Sequence, residues 1–256
     1  MSELTMNFST KTACAFVAGR AQLQTGTPGR AYAAARESND VTCIAAADGA
    51  SFRAHSAIGA QVAVTAALGF VCKNFESLWQ NMDKHNAKAA QRLVNRCLDA
   101  FRRKSTKLGC DSSELACSLS FVAYSGGRYL AGHLSDGLIA SVDAAGQLQT
   151  LCAAETAEPA TTKPLLTEPK AASRLKLFRG PIEALTGFAL ISEGSAQGLC
   201  DDGVPAPAIL QLLESNATLP RKNLKSALAD NLQQHAPDHD SAIGLLSLRP
   251  REALPQ

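Results

Sequence analysis

An α+β fold built on an antiparallel β-sandwich flanked by helices is what this sequence predicts, and three observations carry the prediction. Short apolar runs are joined by turn-forming residues and do not alternate one-for-one with helices, which favours antiparallel strands over a doubly wound parallel sheet. A small-residue apolar stretch beginning at Ser56 is too long for a strand and reads as a helix lying along a buried face. The 256 residues, 46% of them apolar, suffice for a sizeable core in one domain spanning residues 1–256.

In chain order, Thr12 to Val17 and Ala31 to Ala35 read as short strands, and Val41 to Ala47 as a third that ends at Asp48. The turn formers Glu37-Ser38-Asn39-Asp40 join the last two as a hairpin. One helix runs from Ser56, its expected cap, to about Trp79. A second covers about Ala87 to Lys107, with Leu93, Val94, Cys97, Leu98 and Phe101 on one side and cations on the other. Strands resume at Ala116 to Tyr124, Tyr129 to Leu134, Leu138 to Val142 and Gln147 to Cys152, with turns at Ser125-Gly126-Gly127-Arg128 and Ala144-Ala145-Gly146. The segment from Ala153 to Pro181, with Pro159, Pro164, Pro169 and Pro181, reads as a long surface connection. Gly187 to Ser192 is a strand, Pro205 to Glu214 and Arg221 to His235 are helices, and Ser241 to Leu248 is the closing strand. A sandwich with helices against it would bury both the strands and the small-residue face of the first helix.

Composition excludes several functions. The net charge of +2 gives no field that would draw the chain to nucleic acid or a membrane surface. The eight cysteines are scattered without a CxxC pair, so neither a zinc site nor a disulfide framework is expected. The N-terminus lacks a basic start before an apolar core, and no apolar run approaches the roughly 20 residues of a membrane span. A cytoplasmic location is the expectation. Nucleotide-dependent and nucleophilic-serine chemistry find no support, for there is no glycine-rich phosphate loop and no Gly-x-Ser-x-Gly elbow.

The chemistry lies in four separated segments, each with an acidic residue at the end of a strand-like run: Ala47-Asp48-Gly49, Ser135-Asp136-Gly137, Ser192-Glu193-Gly194 and Asp238-His239-Asp240-Ser241. A strand ending in Asp-Gly turns tightly and leaves its carboxylate at the sheet rim, where several such ends can converge on one hard cation. Taken singly, each also reads as an ordinary turn or loop carboxylate.

With Ala47-Asp48-Gly49-Ala50-Ser51 followed by Ser56-x-x-Gly59-Ala60, then Cys117-Ser118-Leu119, Ser135-Asp136-Gly137, Phe188 to Gly194, and Asp240-Ser241-Ala242-Ile243, the chain resembles the metal-dependent protein phosphatase 2C (PPM) family, in its compact bacterial branch. The resemblance implies two packed antiparallel sheets with helices on both sides. It also implies Mn or Mg ions, one or two, that activate water for in-line hydrolysis of phosphoserine and phosphothreonine. On this likeness Asp48 and Asp240 are the catalytic carboxylates, and Asp48, Gly49 through its carbonyl, Glu193, Asp240 and Asp136 are the metal-ligand candidates. The implied partner is a phosphoprotein, within a Ser/Thr kinase system.

Two positions depart from the family pattern. Glu193 stands where an aspartate is usual, and its extra methylene displaces the carboxylate. In Pro28-Gly29-Arg30-Ala31 a cation occupies the place of an acid associated with the second metal, and a guanidinium cannot ligate one. Two accounts stay open: Arg30 binds substrate phosphate in place of a cation, or the site has decayed into that of a pseudophosphatase, a regulatory module that binds phosphoproteins. Asp136 reads as a hairpin-turn residue or a ligand of an accessory metal. For Arg20 and Arg53 the alternatives are phosphate contact and solvated surface, and for His55 and His133 proton transfer and a structural hydrogen bond.

Overall fold

Strand pairing follows from where the apolar runs lie. In a computed structural model, which describes residues 8–153, 164–182, 184–201, 203–236 and 238–250, two five-stranded antiparallel sheets face each other. The first has the order β1 (Phe8–Val17), β12 (Ser241–Pro250), β9 (Leu185–Ile191), β6 (Leu138–Asp143) and β7 (Leu148–Ala153). The second has the order β2 (Ala31–Ser38), β3 (Val41–Asp48), β4 (Leu119–Ser125), β5 (Arg128–Leu134) and β8 (Lys176–Pro181). A two-residue pair, β10 (Cys200–Asp201) with β11 (Val204–Pro205), stands apart.

Strand β3 shows why the layers form. Successive side chains point to opposite faces: Ile44 and Ala46 meet Val122, Ile139, Phe188, Leu190 and Leu246 between the sheets, while Cys43, Ala45 and Ala47 face outward under a helix. Both faces are buried, so the strand reads as a continuous apolar run and not as an alternation. The covering helix, α2 (Ser56–Leu108), contributes Ala60, Ala63, Val64, Ala67 and Val71, a spacing of three and four that makes one face. On the opposite side α4 (Glu193–Leu199), α5 (Pro207–Thr218) and α6 (Arg221–His235) bury Leu199, Ile209, Leu213, Leu224, Leu228 and Leu232 against the first sheet. The result is helix, sheet, sheet, helix, the layering the sequence predicts.

Several local expectations change. The span Ser56–Leu108 is helical but for His85 (φ −141°, ψ 35°). Arg92 Nη2 donates to Asn74 Oδ1 at 3.3 Å, whereas 18 residues of straight helix would separate them by about 27 Å. The chain thus folds back at His85, and the two predicted helices pack on each other. Ser56 is not the cap: His55 holds that position without a side-chain bond, and the Ser56 hydroxyl donates to the Arg53 carbonyl at 3.1 Å. Within α2, Ser56–Met82 is long and apolar enough to cross a membrane by length and composition, contrary to the sequence reading; much of its apolar face is spent on the sheet.

The Pro-rich connection is also more than a surface loop. Its first part, residues 154–163, lies outside the described residues, but the remainder forms α3 (Ala171–Arg174) and the edge strand β8, and Leu166 is fully buried. Proline cannot donate to a ladder and is tolerated on an edge, which is where Pro181 ends β8 opposite Arg128. Residues 116–118 contribute a single bridge, Gly49 with Cys117, and not the start of β4. A short helix α1 (Arg20–Thr25), with no buried residue to mark it, follows β1, and a 3-10 turn at Ser112–Leu115 precedes β4.

Candidate functional site

Strand register brings the chemistry together. Val17 at the end of β1 pairs with Ser241 at the start of β12, and Ile191 at the end of β9 lies opposite Ile243 and Leu138. In the other sheet Ala31 pairs with Asp48, and Leu119 with Leu134. Every one of these ends lies at one rim, so the loops that follow share an open cleft of about 480 Å³. Arg30, Asp48, Gly49, Asp136, Glu193 and Asp240 all line it.

Asp48 is fixed from its backbone. Its N–H donates to Ser118 Oγ at 2.9 Å, the Ser118 N–H returns a bond to the Asp48 carbonyl at 2.9 Å, and Gly49 N–H donates to the Arg30 carbonyl at 3.1 Å. Glu193 is the first residue of α4, whose cap Ser192 accepts from Ser195 N–H and, at 3.0 Å, from Ala242 N–H. Gly194 must be glycine there: a Cβ would lie 2.2 Å from the Asp240 carbonyl oxygen. This close approach keeps Glu193 beside the Asp240 loop. Asp136 sits in the β5–β6 turn between Ser135 (φ 80°) and Gly137 (φ 86°), left-handed positions that suit a tight reversal.

Asp240 is already partnered. Its Oδ1 accepts from Gly19 N–H at 2.9 Å, and its Oδ2 accepts from both the backbone N–H and the Nε of Arg30 at 3.1 Å each. The carboxylate is 4% exposed. Arg30 Nη1 reaches the Ser51 carbonyl at 3.4 Å.

Burial, with acids close by, sets the electrostatics. Burial pushes the Asp48 carboxyl from 3.8 up to about 7, helped by the negative charges of Glu193, Asp240 and Asp136 and opposed by Arg30. From pH 3.8 to about 7 the folded protein therefore holds a proton that the unfolded chain has released. The stabilisation this gives is complete below that window and is lost as pH rises through it. Metal-free protein should accordingly lose melting temperature across the window, and Asp48→Asn should flatten the decline; parallel pH profiles in thermal melts would count against a raised Asp48 pKa.

The remaining candidates separate cleanly. His133 is buried, its pKa lowered to about 4 chiefly by burial, and its Nε2 lies 3.2 Å from the Gly137 carbonyl. Neutral at pH 7, it supports the Asp136 turn and does not line the cleft. Arg20 pairs with Asp238 on the surface and Arg53 with Glu114, and neither lines the cleft, nor does His55. Sequence reasoning missed His239, Gln197, Glu168, Leu165 and Phe52 as lining residues. Phe52 is 71% exposed at the cleft. Glu168 and Leu165 arrive from the Pro-rich segment, which carried no signal for them.

Tested against a divalent cation, the two sides of the cleft differ. Toward Asp48 the donor chemistry fits, because a carboxylate that burial and neighbouring acids keep from ionising is relieved by a hard cation. Toward Asp240 the fit is poorer: three of about four lone-pair positions already hold donors, and the Arg30 guanidinium stands beside them. Among the described residues no three of His, Cys, Asp and Glu stand together as a ready-made metal cluster.

A protein-family model described as Protein phosphatase 2C matches residues 18–233. No curated protein matches the chain. Among solved structures, the catalytic domain of the serine/threonine protein phosphatase PstP, in complex with two manganese ions, is 14% identical, with a TM-score of 0.62 over 94% of this chain and 99% of that one. A serine/threonine phosphatase of S. agalactiae is 14% identical, with a TM-score of 0.63 over 95% and 100%. RsbX in complex with magnesium is 11% identical, with a TM-score of 0.54 over 94% and 96%. At these identities the structures share the fold, and the family model carries the kinship.

Proposed function

The chain belongs to the protein phosphatase 2C family, and from that premise we propose that it hydrolyses phosphoserine and phosphothreonine esters in a phosphoprotein partner. One observation carries the reading: Asp48, Asp136, Glu193, Asp240 and Arg30, far apart in sequence, line a single cleft at the rim of the sandwich.

Asp48, Glu193, Asp136 and the Gly49 carbonyl would hold a magnesium- or manganese-type ion, which when bound acidifies water and neutralises phosphate charge. The chain's own residues do the rest. The reciprocal Ser118 bonds fix the backbone from which the Asp48 carboxylate projects. The Gly194 contact fixes the start of α4, and with it Glu193. The Arg30 guanidinium, tied to Asp240 by Nε, offers a planar fork suited to phosphate oxygens. No side chain need be covalently modified.

The test is phosphate release from a phosphothreonine peptide by purified protein with manganese and with a chelator. Turnover that requires the metal is expected. A folded sample with neither turnover nor manganese binding would overturn the proposal. A second reading, a regulatory module that holds a phosphoprotein without hydrolysing it, is favoured by the pairing of Asp240 with Arg30, which withholds a carboxylate from any metal.

A further inference from the structure

We infer that Arg30 acts as a resident cation in this cleft, keeping Asp240 for itself, so that the site takes one divalent ion and Asp240 is not among its ligands. The inference rests on the phosphatase reading of the cleft and deepens it.

The geometry of Asp240 is the starting point. A carboxylate offers about four lone-pair positions. Two on Oδ2 are filled by the backbone N–H and Nε of Arg30, and one on Oδ1 by Gly19 N–H. Two of these three donors are backbone groups; the third is the Arg30 side chain, whose removal would free one position on Oδ2 and take away the charge that opposes a second ion. The niche is also built at close quarters. A Cβ on Gly29 would stand 3.1 Å from Asp240 Oδ1 and 2.9 Å from the Ala18 Cα, and one on Gly19 would stand 2.7 Å from the Asp238 carbonyl oxygen. Glycine at both positions lets the β1–β2 connection wrap the carboxylate with its own amides.

Charge points the same way. With its side chain 4% exposed, Asp240 meets Arg30 where solvent screening is weak. A second divalent ion placed there would meet the guanidinium at short range and gain little from a carboxylate already neutralised. Asp48, Glu193 and Asp136 line the other side of the cleft, where one ion would sit, and Arg30 supplies the other positive charge from within the chain.

Manganese titration by calorimetry, with electron paramagnetic resonance of the loaded protein, tests this without recourse to activity. One ion per chain is expected, with a spectrum free of coupling between two manganese spins. Asp240→Asn should change manganese affinity by less than about tenfold, the lower end of what even outer-shell changes cost, whereas Asp48→Asn should lose more. Arg30→Ala should allow a second ion to bind. If Asp240→Asn fails to fold, the wild-type stoichiometry and the Arg30→Ala titration decide alone. Two coupled ions in the wild type, or an Asp240→Asn variant that folds but no longer binds manganese, would overturn the inference and leave the phosphatase reading standing. No manganese bound by either wild type or Arg30→Ala would overturn both.

Discussion

Asp48→Asn is expected to lower metal-dependent hydrolysis of a phosphothreonine peptide by at least about 100-fold, because changes outside a metal's ligand shell already cost about 10- to 100-fold. The substitution is close to isosteric, and the bonds that position residue 48 run through its backbone, from Asp48 N–H to Ser118 Oγ and from Ser118 N–H to the Asp48 carbonyl. Strand β3 should therefore stay in register, and the loss would be one of charge. Steady-state phosphate release at saturating manganese measures it, with a thermal melt as the control for folding. Full activity in the variant would remove Asp48 from the mechanism.

The largest expected effect on stability is that of Gly59→Ala. A Cβ at this position would lie 2.1 Å from the Leu115 carbonyl oxygen and 2.6 Å from the Leu115 carbonyl carbon. These are backbone atoms, and no rotamer change can make room. The start of α2 packs here on the 3-10 turn Ser112–Leu115, and Leu115 is itself fully buried. Overpacking of this kind costs about 1–3 kcal/mol or more, which in a chain of this size lowers the melting temperature by roughly 2–4 °C per kcal/mol. The damage should reach the cleft as well. Ala50 N–H donates to the Ala116 carbonyl at 3.0 Å, so a displaced 115–116 backbone pulls on the loop after Asp48. Paired melting and manganese titrations would show both effects, and an unchanged melting temperature would mean that the helix and turn can part without cost.

How much of this was legible in the sequence depends on how local the signal is. Asp48 with Gly49, and Asp136 with Gly137, announce themselves as strand ends because the turn chemistry lies in adjacent residues. The hairpin between β2 and β3 was readable for the same reason: Asn39 (φ 55°) and Asp40 (φ 58°) are residue types that tolerate the left-handed conformation a two-residue turn demands. Strand β8 was not readable, since an edge strand in a Pro-rich, half-exposed segment shows neither alternation nor a long apolar run. Helices α1 and α4 are six and seven residues long, too short to show a period. The bond between Arg30 and Asp240 joins positions 210 residues apart. From the sequence Arg30 could be seen as a misplaced cation, but its partner emerged only with the β1–β12 pairing.

The two halves of the cleft hang from strands of very different standing. Strand β3, which ends in Asp48, lies inside its sheet between β2 and β4 and is covered on both faces. Strand β2, which begins just after Arg30, is an edge of the same sheet. Interior strands open only with the whole molecule, whereas edges fray at lower free energy. The Asp48 carboxylate is thus carried by an interior strand, while the Arg30 guanidinium is carried by an edge and pinned across it to Asp240, which immediately precedes the interior strand β12. Fraying of that edge is therefore resisted by the same Asp240 bonds that hold the cation in the cleft.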